Sequence, residues 1–445
     1  MLELLNTFLW GPGTLALILG TGAWLTLRTR GFPQRSLGRA LKLSLGRAAR
    51  KKGKNGVSPF GSLMTALAST VGTGNIVGVA AALVSGGPGA LVWMELAALL
   101  GLATKFAECM LAVKYRRVRR DGTRWGGPMA VMEARLGVLG RGMGRLFAAS
   151  ALLMAFAMGA LAQSGALADT FSAAFSLPRR QVGLVTAVLA LVILLGGVRR
   201  VADASTVLVP VMALLYIGGG LAVILGNLPR LPAAMALMVR CALAPEAALG
   251  GALGTVTRQS AIRWGVARGI FSNEAGLGSA AVTAACADTE DPVRQGLISM
   301  TGVFFDTTVI CTVTGLAICC SGMLGAVDRG GAPLTGAALT IRAFETVLGP
   351  WAGWLISVSL GLFAFTSILG CAVLEDTAAV YLLGPAVRLP CRVLYGLAVW
   401  AGTVLPMEIV LQLADLANAL MALPNLACLV LLSGEIAAEC GKTGR

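Results

Sequence analysis

The stretch Ala68-Ser-Thr-Val-Gly-Thr-Gly-Asn-Ile-Val-Gly78 decides the fold, because it interrupts an apolar run about as long as a membrane is thick. The central Gly72-Thr-Gly-Asn75 consists of poor helix formers. Lipid offers no hydrogen bonds, so the backbone groups freed there have to face a ligand, an ion or a cavity. Such an interruption is typical of a transporter binding site at mid-depth. Close packing of helices through small residues is the competing explanation.

The composition is that of a polytopic membrane protein. Of the 445 residues, 56% are hydrophobic and 13% are charged, whereas soluble domains carry about 25% charged residues. The net charge of +15 comes from basic residues in short loops between apolar runs, which excludes nucleic acid as the partner and indicates contact with the lipid bilayer. The chain has no histidine and its ten cysteines form no Cys-x-x-Cys pair, so neither enzyme chemistry nor a metal or redox site is expected.

The apolar runs predict an all-α integral membrane protein with about eleven spans. Basic residues in 28–54 and 114–120 place these loops in the cytoplasm. The N-terminus is then expected outside the cell and the C-terminus in the cytoplasm. We expect the membrane to be a prokaryotic inner membrane. The predicted spans are roughly 4–27, 58–84, 89–114, 145–172, 181–197, 204–226, 246–271, 295–320, 350–373, 392–406 and 408–433.

Without the first span, the remaining ten divide into two groups of five with opposite orientation, as in inverted-repeat transporters. The first helix of the second group should then also be broken, and Pro245 with Gly250-Gly251-Ala-Leu-Gly254 predicts that break. The predicted organisation is an extra helix (1–30), a basic cytoplasmic segment (31–57), a first repeat (58–226), an outer connection (227–245), a second repeat (246–433) and a cytoplasmic tail (434–445).

Motifs along nearly the whole chain resemble the alanine or glycine:cation symporter family, also known as sodium:alanine symporters. They are Ser58-Pro-Phe60, Gly72-Thr-Gly-Asn-Ile76, Gly86-Gly-Pro-Gly89, Ala103-Thr-Lys-Phe-Ala-Glu108, Gly126-Gly-Pro-Met129, Gly265-Val-Ala-Arg-Gly-Ile-Phe-Ser-Asn-Glu-Ala-Gly-Leu-Gly-Ser279, Pro292-Val-Arg-Gln-Gly296, Phe363-Ala-Phe-Thr-Ser-Ile-Leu-Gly370 and Ala419-Leu-Met-Ala-Leu-Pro-Asn425.

The resemblance implies a fold like that of the bacterial leucine transporter, within the amino acid-polyamine-organocation superfamily, with one additional N-terminal helix. It also implies sodium-coupled import of alanine or glycine by alternating access. Sodium is then the coupling ion, and we expect no cofactor and no obligate protein partner.

The first break is expected to bind the substrate, because amides at a half-helix N-terminus attract a carboxylate. By resemblance, Gln163 lines the pocket; an interhelical hydrogen bond is its alternative role. Carbonyls of the second break would accept the substrate's ammonium group. The predicted substrate contacts are Thr73, Gly74, Asn75, Gln163, Gly250, Gly251, Gly254 and Cys371.

The sodium site is expected where Ala68 to Val71 leave free carbonyls, since hard cations prefer oxygen ligands. By resemblance, Thr366 and Ser367 complete it; these hydroxyls could instead bond back to their own helix.

Four further positions carry polar or ionisable side chains. Asn273 and Glu274 are expected near the cytoplasmic face, in gating or helix capping. Asp306 lies inside an apolar span, where it could serve a second cation or a proton, or only an interhelical hydrogen bond. Lys105 and Glu108 are three residues apart and could pair.

Cys371 departs from the family pattern, which usually has a tryptophan there. The change should enlarge the pocket or leave another side chain to fill the gap, so the substrate's identity stays open. The alternatives are transport of another neutral amino acid, proton coupling through Asp306 or Glu95, or a sensor that binds an amino acid without transporting it.

Overall fold

The computed structural model describes residues 9–51, 56–118, 122–244, 246–250, 254–328 and 330–443. This part of the chain is mainly helical, with two short antiparallel hairpins and two isolated bridges between its loops. The hairpins are β1 (Arg117–Val118) with β2 (Arg124–Trp125), and β3 (Glu246–Gly250) with β4 (Gly254–Thr257).

The helices are numbered in chain order. Those of the first half are α1 (Pro12–Arg28), α2 (Phe32–Arg35), α3 (Leu37–Leu45), α4 (Pro59–Thr70), α5 (Val77–Gly86), α6 (Gly89–Lys114), α7 (Pro128–Phe175), α8 (Arg179–Leu194), α9 (Gly197–Gly226) and α10 (Leu231–Leu243). Those of the second half are α11 (Arg258–Asn273), α12 (Ser279–Ala285), α13 (Pro292–Ser321), α14 (Gly336–Leu348), α15 (Trp351–Leu383), α16 (Arg388–Ala401), α17 (Met407–Leu431) and α18 (Ser433–Thr443).

Six described helices, of 25 to 48 residues, are long and apolar enough to cross a membrane: α6, α7, α9, α13, α15 and α17. A bent pair, α4 with α5, is a seventh candidate. The all-α, multi-pass character predicted from the sequence is therefore confirmed. The count of eleven spans, the extra N-terminal helix and the division into repeats stay predictions.

The first predicted break is present, between α4 and α5. A 64° bend separates Pro59–Thr70 from Thr73–Gly86, and a single 3-10 turn, Thr73–Asn75, follows the break. Val71 and Gly72 have extended backbones, with ψ of 98° and −157°. The weak helix formers thus end one half-helix and begin the next.

The second predicted break is misplaced. Gly250 and Gly254 lie in the β3–β4 hairpin, and Gly251 lies outside the described residues. The helix starts only at Arg258, because Thr257 caps it by accepting a hydrogen bond from the Ser260 amide at 3.1 Å.

The actual second break separates α11 from α12. Glu274, Gly276 and Gly278 have φ of 52°, 95° and 79° there. Left-handed residues of this kind end an α-helix. The interruption predicted at Gly250–Gly254 is therefore found about twenty residues later, inside the Ser-Asn-Glu-Ala-Gly-Leu-Gly-Ser block.

Helix α15 packs directly on the first broken helix. A Cβ added to Gly370 would lie 2.4 Å from the Ser69 amide nitrogen and 2.9 Å from the Ala68 carbonyl carbon. Glycine is thus what allows the two backbones to touch. Two π-helical segments, Ala155–Ala162 in α7 and Phe304–Cys311 in α13, interrupt the helices that supply the other polar side chains near the breaks.

We predict that Gly370→Ala lowers the free energy of unfolding by about 1–3 kcal/mol, because the added methyl overlaps the α4 backbone. Thermal unfolding of the purified protein measures the effect. The control is Gly353→Ala, on the same helix, where no atom of the described part of the chain lies within 4 Å of the added Cβ. Equal unfolding temperatures for the two variants would contradict the close contact.

Candidate functional site

The site begins with the backbone of the first break. The Gly72 amide donates to Asn75 Oδ1 at 2.9 Å, so it no longer bonds the Ala68 carbonyl four residues earlier. The carbonyls at the end of α4 and the first amides of the 3-10 turn are left for other partners. Among the described residues, no atom lies within 4 Å of a Cβ added to Gly74, so the backbone of the turn faces open space there.

Gln163 faces this break from α7. A Cβ added to Gly72 would lie 3.6 Å from its Nε2 and 3.8 Å from its Oε1. The residue is 3% exposed, yet its Oε1 has no hydrogen-bond partner in the described residues. A buried amide without a partner is costly unless a ligand satisfies it. The structure thus brings Gln163 to the predicted substrate position.

Ser367 also reaches the break, whereas the Thr366 hydroxyl does not. Ser367 Oγ donates to the Val71 carbonyl at 3.4 Å. Thr366 Oγ1 donates to the carbonyls of Leu362 and Phe363, both at 3.0 Å. Of the two predicted hydroxyls, only that of Ser367 therefore faces the break, because consecutive residues of a helix point about 100° apart.

Asp306 joins the two breaks. Its carboxylate is fully buried and accepts hydrogen bonds from Asn75 Nδ2 at 2.7 Å and from Ser272 Oγ at 2.7 Å. Thr307 Oγ1 donates to it at 3.0 Å. Asn75 belongs to the first break and Ser272 to the last turn of α11. In the described residues, no lysine or arginine nitrogen lies within 4.0 Å of this carboxylate.

Asn273 and Glu274 lie at the second break, beside this cluster, and their place near the cytoplasmic face stays a prediction. Asn273 Nδ2 donates to Thr307 Oγ1 at 3.1 Å, and its Oδ1 accepts from the Ala275 amide at 3.0 Å. Glu274 ends α11 in a left-handed conformation. Both residues therefore shape the break itself, at the level of Asp306.

Cys371 lies one turn beyond Ser367 and packs on Gly159, which lies one turn before Gln163. A Cβ added to Gly159 would lie 2.3 Å from Cys371 Cβ and 2.7 Å from the Tyr395 hydroxyl. Tyr395 is fully buried and donates to the Ile368 carbonyl at 2.9 Å. Of the two expected consequences of losing the tryptophan, the structure shows another side chain, Tyr395, packed beside the cysteine.

The sequence did not single out two residues of the site. Ser272 binds Asp306, and Thr314 donates to the Asn75 carbonyl at 2.9 Å while sharing a hydrogen bond with the Tyr216 hydroxyl at 2.7 Å. Ser272 lies in the quoted Ser-Asn-Glu motif, and this position could have identified it as a candidate site residue. Thr314 lies in an ordinary apolar run, where a hydroxyl commonly bonds its own helix.

Known proteins are similar to this chain over nearly its whole length. The model of the sodium:alanine symporter family matches residues 1–442. An uncharacterized transporter of Haemophilus influenzae is 45% identical over 99% of this chain and 94% of its own length. The sodium/alanine symporter AgcS of Methanococcus maripaludis is 41% identical over 99% and 96%. A probable sodium/glutamine symporter of Bacillus subtilis, GlnT, is 38% identical over 96% and 87%.

Among solved structures, MhsT in complex with L-phenylalanine superposes with a TM-score of 0.60, over 85% of this chain and 90% of its own, at 14% identity. This similarity shows a fold of the leucine-transporter type.

We predict that Cys371→Trp lowers the free energy of unfolding by about 1–3 kcal/mol, because Gly159 and Tyr395 leave no room for an indole. The double variant Cys371→Trp/Tyr395→Ala should recover most of the loss, which thermal unfolding measures as a coupling between the two positions. A single variant as stable as the wild type would show that the space beside Cys371 is open.

Proposed function

The chain belongs to the sodium:alanine symporter family, and from that premise we propose that it imports a small neutral amino acid, alanine or glycine, together with sodium. The family consists of transporters, so the protein is a multi-pass membrane transporter and not an enzyme. The amino acid, the ion, the prokaryotic inner membrane, the outer N-terminus and the cytoplasmic C-terminus belong to the proposal.

The observation that carries the proposal is the Gln163 amide oxygen, which has no hydrogen-bond partner in the described residues and lies next to the open backbone of the first break. The amides of Thr73, Gly74 and Asn75 suit the substrate carboxylate, since they begin the second half-helix. The unpartnered Oε1 of Gln163 can accept a hydrogen bond from the substrate's ammonium group. A Cβ added to Gly72 would lie 2.9 Å from Ser367 Oγ, so the space beside this residue is narrow, which favours a small substrate.

The sodium ion is proposed at the end of α4, between the carbonyls of Ala68 and Val71 and the hydroxyl of Ser367. These are oxygen ligands of the kind that hard cations take. No acidic residue occupies residues 68–78, so a substrate carboxylate beside the ion would supply the balancing charge. Thr366 is the weaker candidate ligand because its hydroxyl bonds its own helix.

The hydrogen bonds between the two breaks support the proposal of alternating access. Asp306 connects Asn75 to Ser272 and Thr307 connects to Asn273, so binding at the first break is linked to the position of the second. Asn273 and Glu274 are proposed to act in gating through this connection.

We predict that proteoliposomes accumulate labelled alanine or glycine under an inward Na⁺ gradient, and not when K⁺ replaces Na⁺. A competition panel that includes glutamine tests whether Cys371 accompanies a larger neutral substrate, the alternative that the GlnT relative raises. Uptake of none of these amino acids under any gradient would refute the proposal, and binding without uptake would favour a sensor.

We predict that Ser367→Ala raises the Na⁺ concentration for half-maximal uptake about tenfold, the equivalent of one lost ligand worth about 1.4 kcal/mol. The matched control is Ser359→Ala, a buried serine two turns earlier on α15. Equal Na⁺ dependence in the two variants would remove Ser367 from the ion site.

A second candidate, proton coupling, is favoured by the buried Asp306 carboxylate at the junction of the breaks. In that case Asp306→Asn abolishes uptake driven by a pH gradient but spares exchange of labelled for unlabelled substrate. Under sodium coupling, uptake by the wild type depends on the Na⁺ gradient and does not change when a pH gradient is imposed. Measuring both gradients separately decides between the two.

A further inference from the structure

The second helix break presents a carbonyl end to the protein interior. Helix α11 ends at Asn273, and Glu274 turns the chain with φ of 52° and ψ of 27°. The C-terminal end of a helix carries partial negative charge. In broken helices of transporters, such ends and their unwound carbonyls coordinate cations.

A lysine of the protein occupies this place. Lys105, in α6, is 2% exposed, and its Nζ donates to the Glu274 carbonyl at 3.1 Å. The approach is made possible one turn earlier by Gly101, where an added Cβ would lie 3.1 Å from Ala275 Cβ. Because a lysine ammonium is a compact point charge with three donors, it resembles a small bound cation more than an arginine would.

Glu108 and Asn425 connect the Lys105 ammonium to the turn after α11 through an ion pair and hydrogen bonds. Glu108 Oε1 lies 3.5 Å from Lys105 Nζ, which confirms the pair expected from their spacing. Asn425 Nδ2 donates to Glu108 Oε2 at 3.1 Å and to the Gly276 carbonyl at 2.9 Å. Two carbonyls of the turn are thus bound by donors from α6 and α17.

The carbonyl end of the first break has no such resident. The Val71 carbonyl accepts only the Ser367 hydroxyl at 3.4 Å among the hydrogen bonds of the described residues. No lysine or arginine donates to Ala68 or Val71 in that part of the chain. Among the described residues, a lysine ammonium therefore contacts the carbonyl end of the second break and none contacts that of the first.

We propose that the Lys105 ammonium is a tethered cation that takes at the second break the position which the coupling ion takes at the first. The inference rests on the proposed function, since it presupposes an ion at the first break. Only the first break then exchanges its cation during transport, and the second keeps a covalently attached one. Lys105 is in this sense a positioning residue for the second break.

The test is thermal unfolding of the purified protein, titrated with NaCl against choline chloride at constant ionic strength. Lys105→Ala removes the ammonium and opens space for an added cation. We expect its unfolding temperature to fall and to recover with millimolar Na⁺ or propylammonium, which replaces the missing part of the side chain. The steepness of the Na⁺ dependence should approximately double, because a second site then binds the folded state.

Lys114→Met, at the C-terminal end of α6, is the matched control. This lysine pairs at the surface with Glu435 at 2.6 Å and Glu439 at 2.8 Å, so its removal should leave the Na⁺ dependence unchanged. A folded Lys105→Ala protein with wild-type Na⁺ dependence and no rescue by propylammonium would overturn the proposal.

Should Lys105→Ala fail to fold, Lys105→Met and Lys105→Met/Glu108→Gln decide the matter. If the lysine only neutralises Glu108, the double variant regains wild-type stability, and the proposal is wrong. If the lysine serves the carbonyl end of α11, the double variant stays destabilised. The proposed function fails separately, when the wild-type protein itself shows neither Na⁺-dependent stabilisation nor uptake.

Discussion

Backbone groups released inside a membrane need partners, and the rest of this structure follows from that constraint. The bend between α4 and α5 frees carbonyls on one side and amides on the other. Asn75 satisfies part of the requirement internally, through the Gly72 amide and Asp306. The remainder faces Gln163, Ser367 and the open space beside Gly74. In our proposal, a small zwitterion hydrogen-bonds to these groups and an ion is coordinated by the carbonyls.

The two breaks are joined by hydrogen bonds but are chemically unlike. Asp306 accepts hydrogen bonds from both, which links a change at one to a change at the other. In our proposals, the free backbone groups of the first break bind a substrate and an ion from solution. The carbonyls of the second break instead accept hydrogen bonds from Lys105 and Asn425. A binding site on one side and a bound turn on the other suit a cycle in which one half of the molecule moves around the other.

Sequence reasoning located the first break because its signal is local: four weak helix formers stand together in an apolar run. The pairing of Lys105 with Glu108 was predictable for the same reason, since helical spacing alone brings them to one face. The second break was misplaced because Gly250 to Gly254 carry a similar local signal. Thr257 and the left-handed backbone at Glu274, Gly276 and Gly278 decided the boundaries instead.

The sequence by itself determined that this protein spans a membrane, that its helix is interrupted at Gly72 to Asn75, and which family it resembles. These properties depend on hydrophobicity, helix propensity and motif, which act over short stretches of chain. Only the tertiary structure decided that Ser367 and not Thr366 faces Val71, that Tyr395 packs beside Cys371, and that Lys105 reaches the Glu274 carbonyl. Such contacts join residues far apart in sequence, so they depend on how the helices are rotated and packed, which no local pattern specifies.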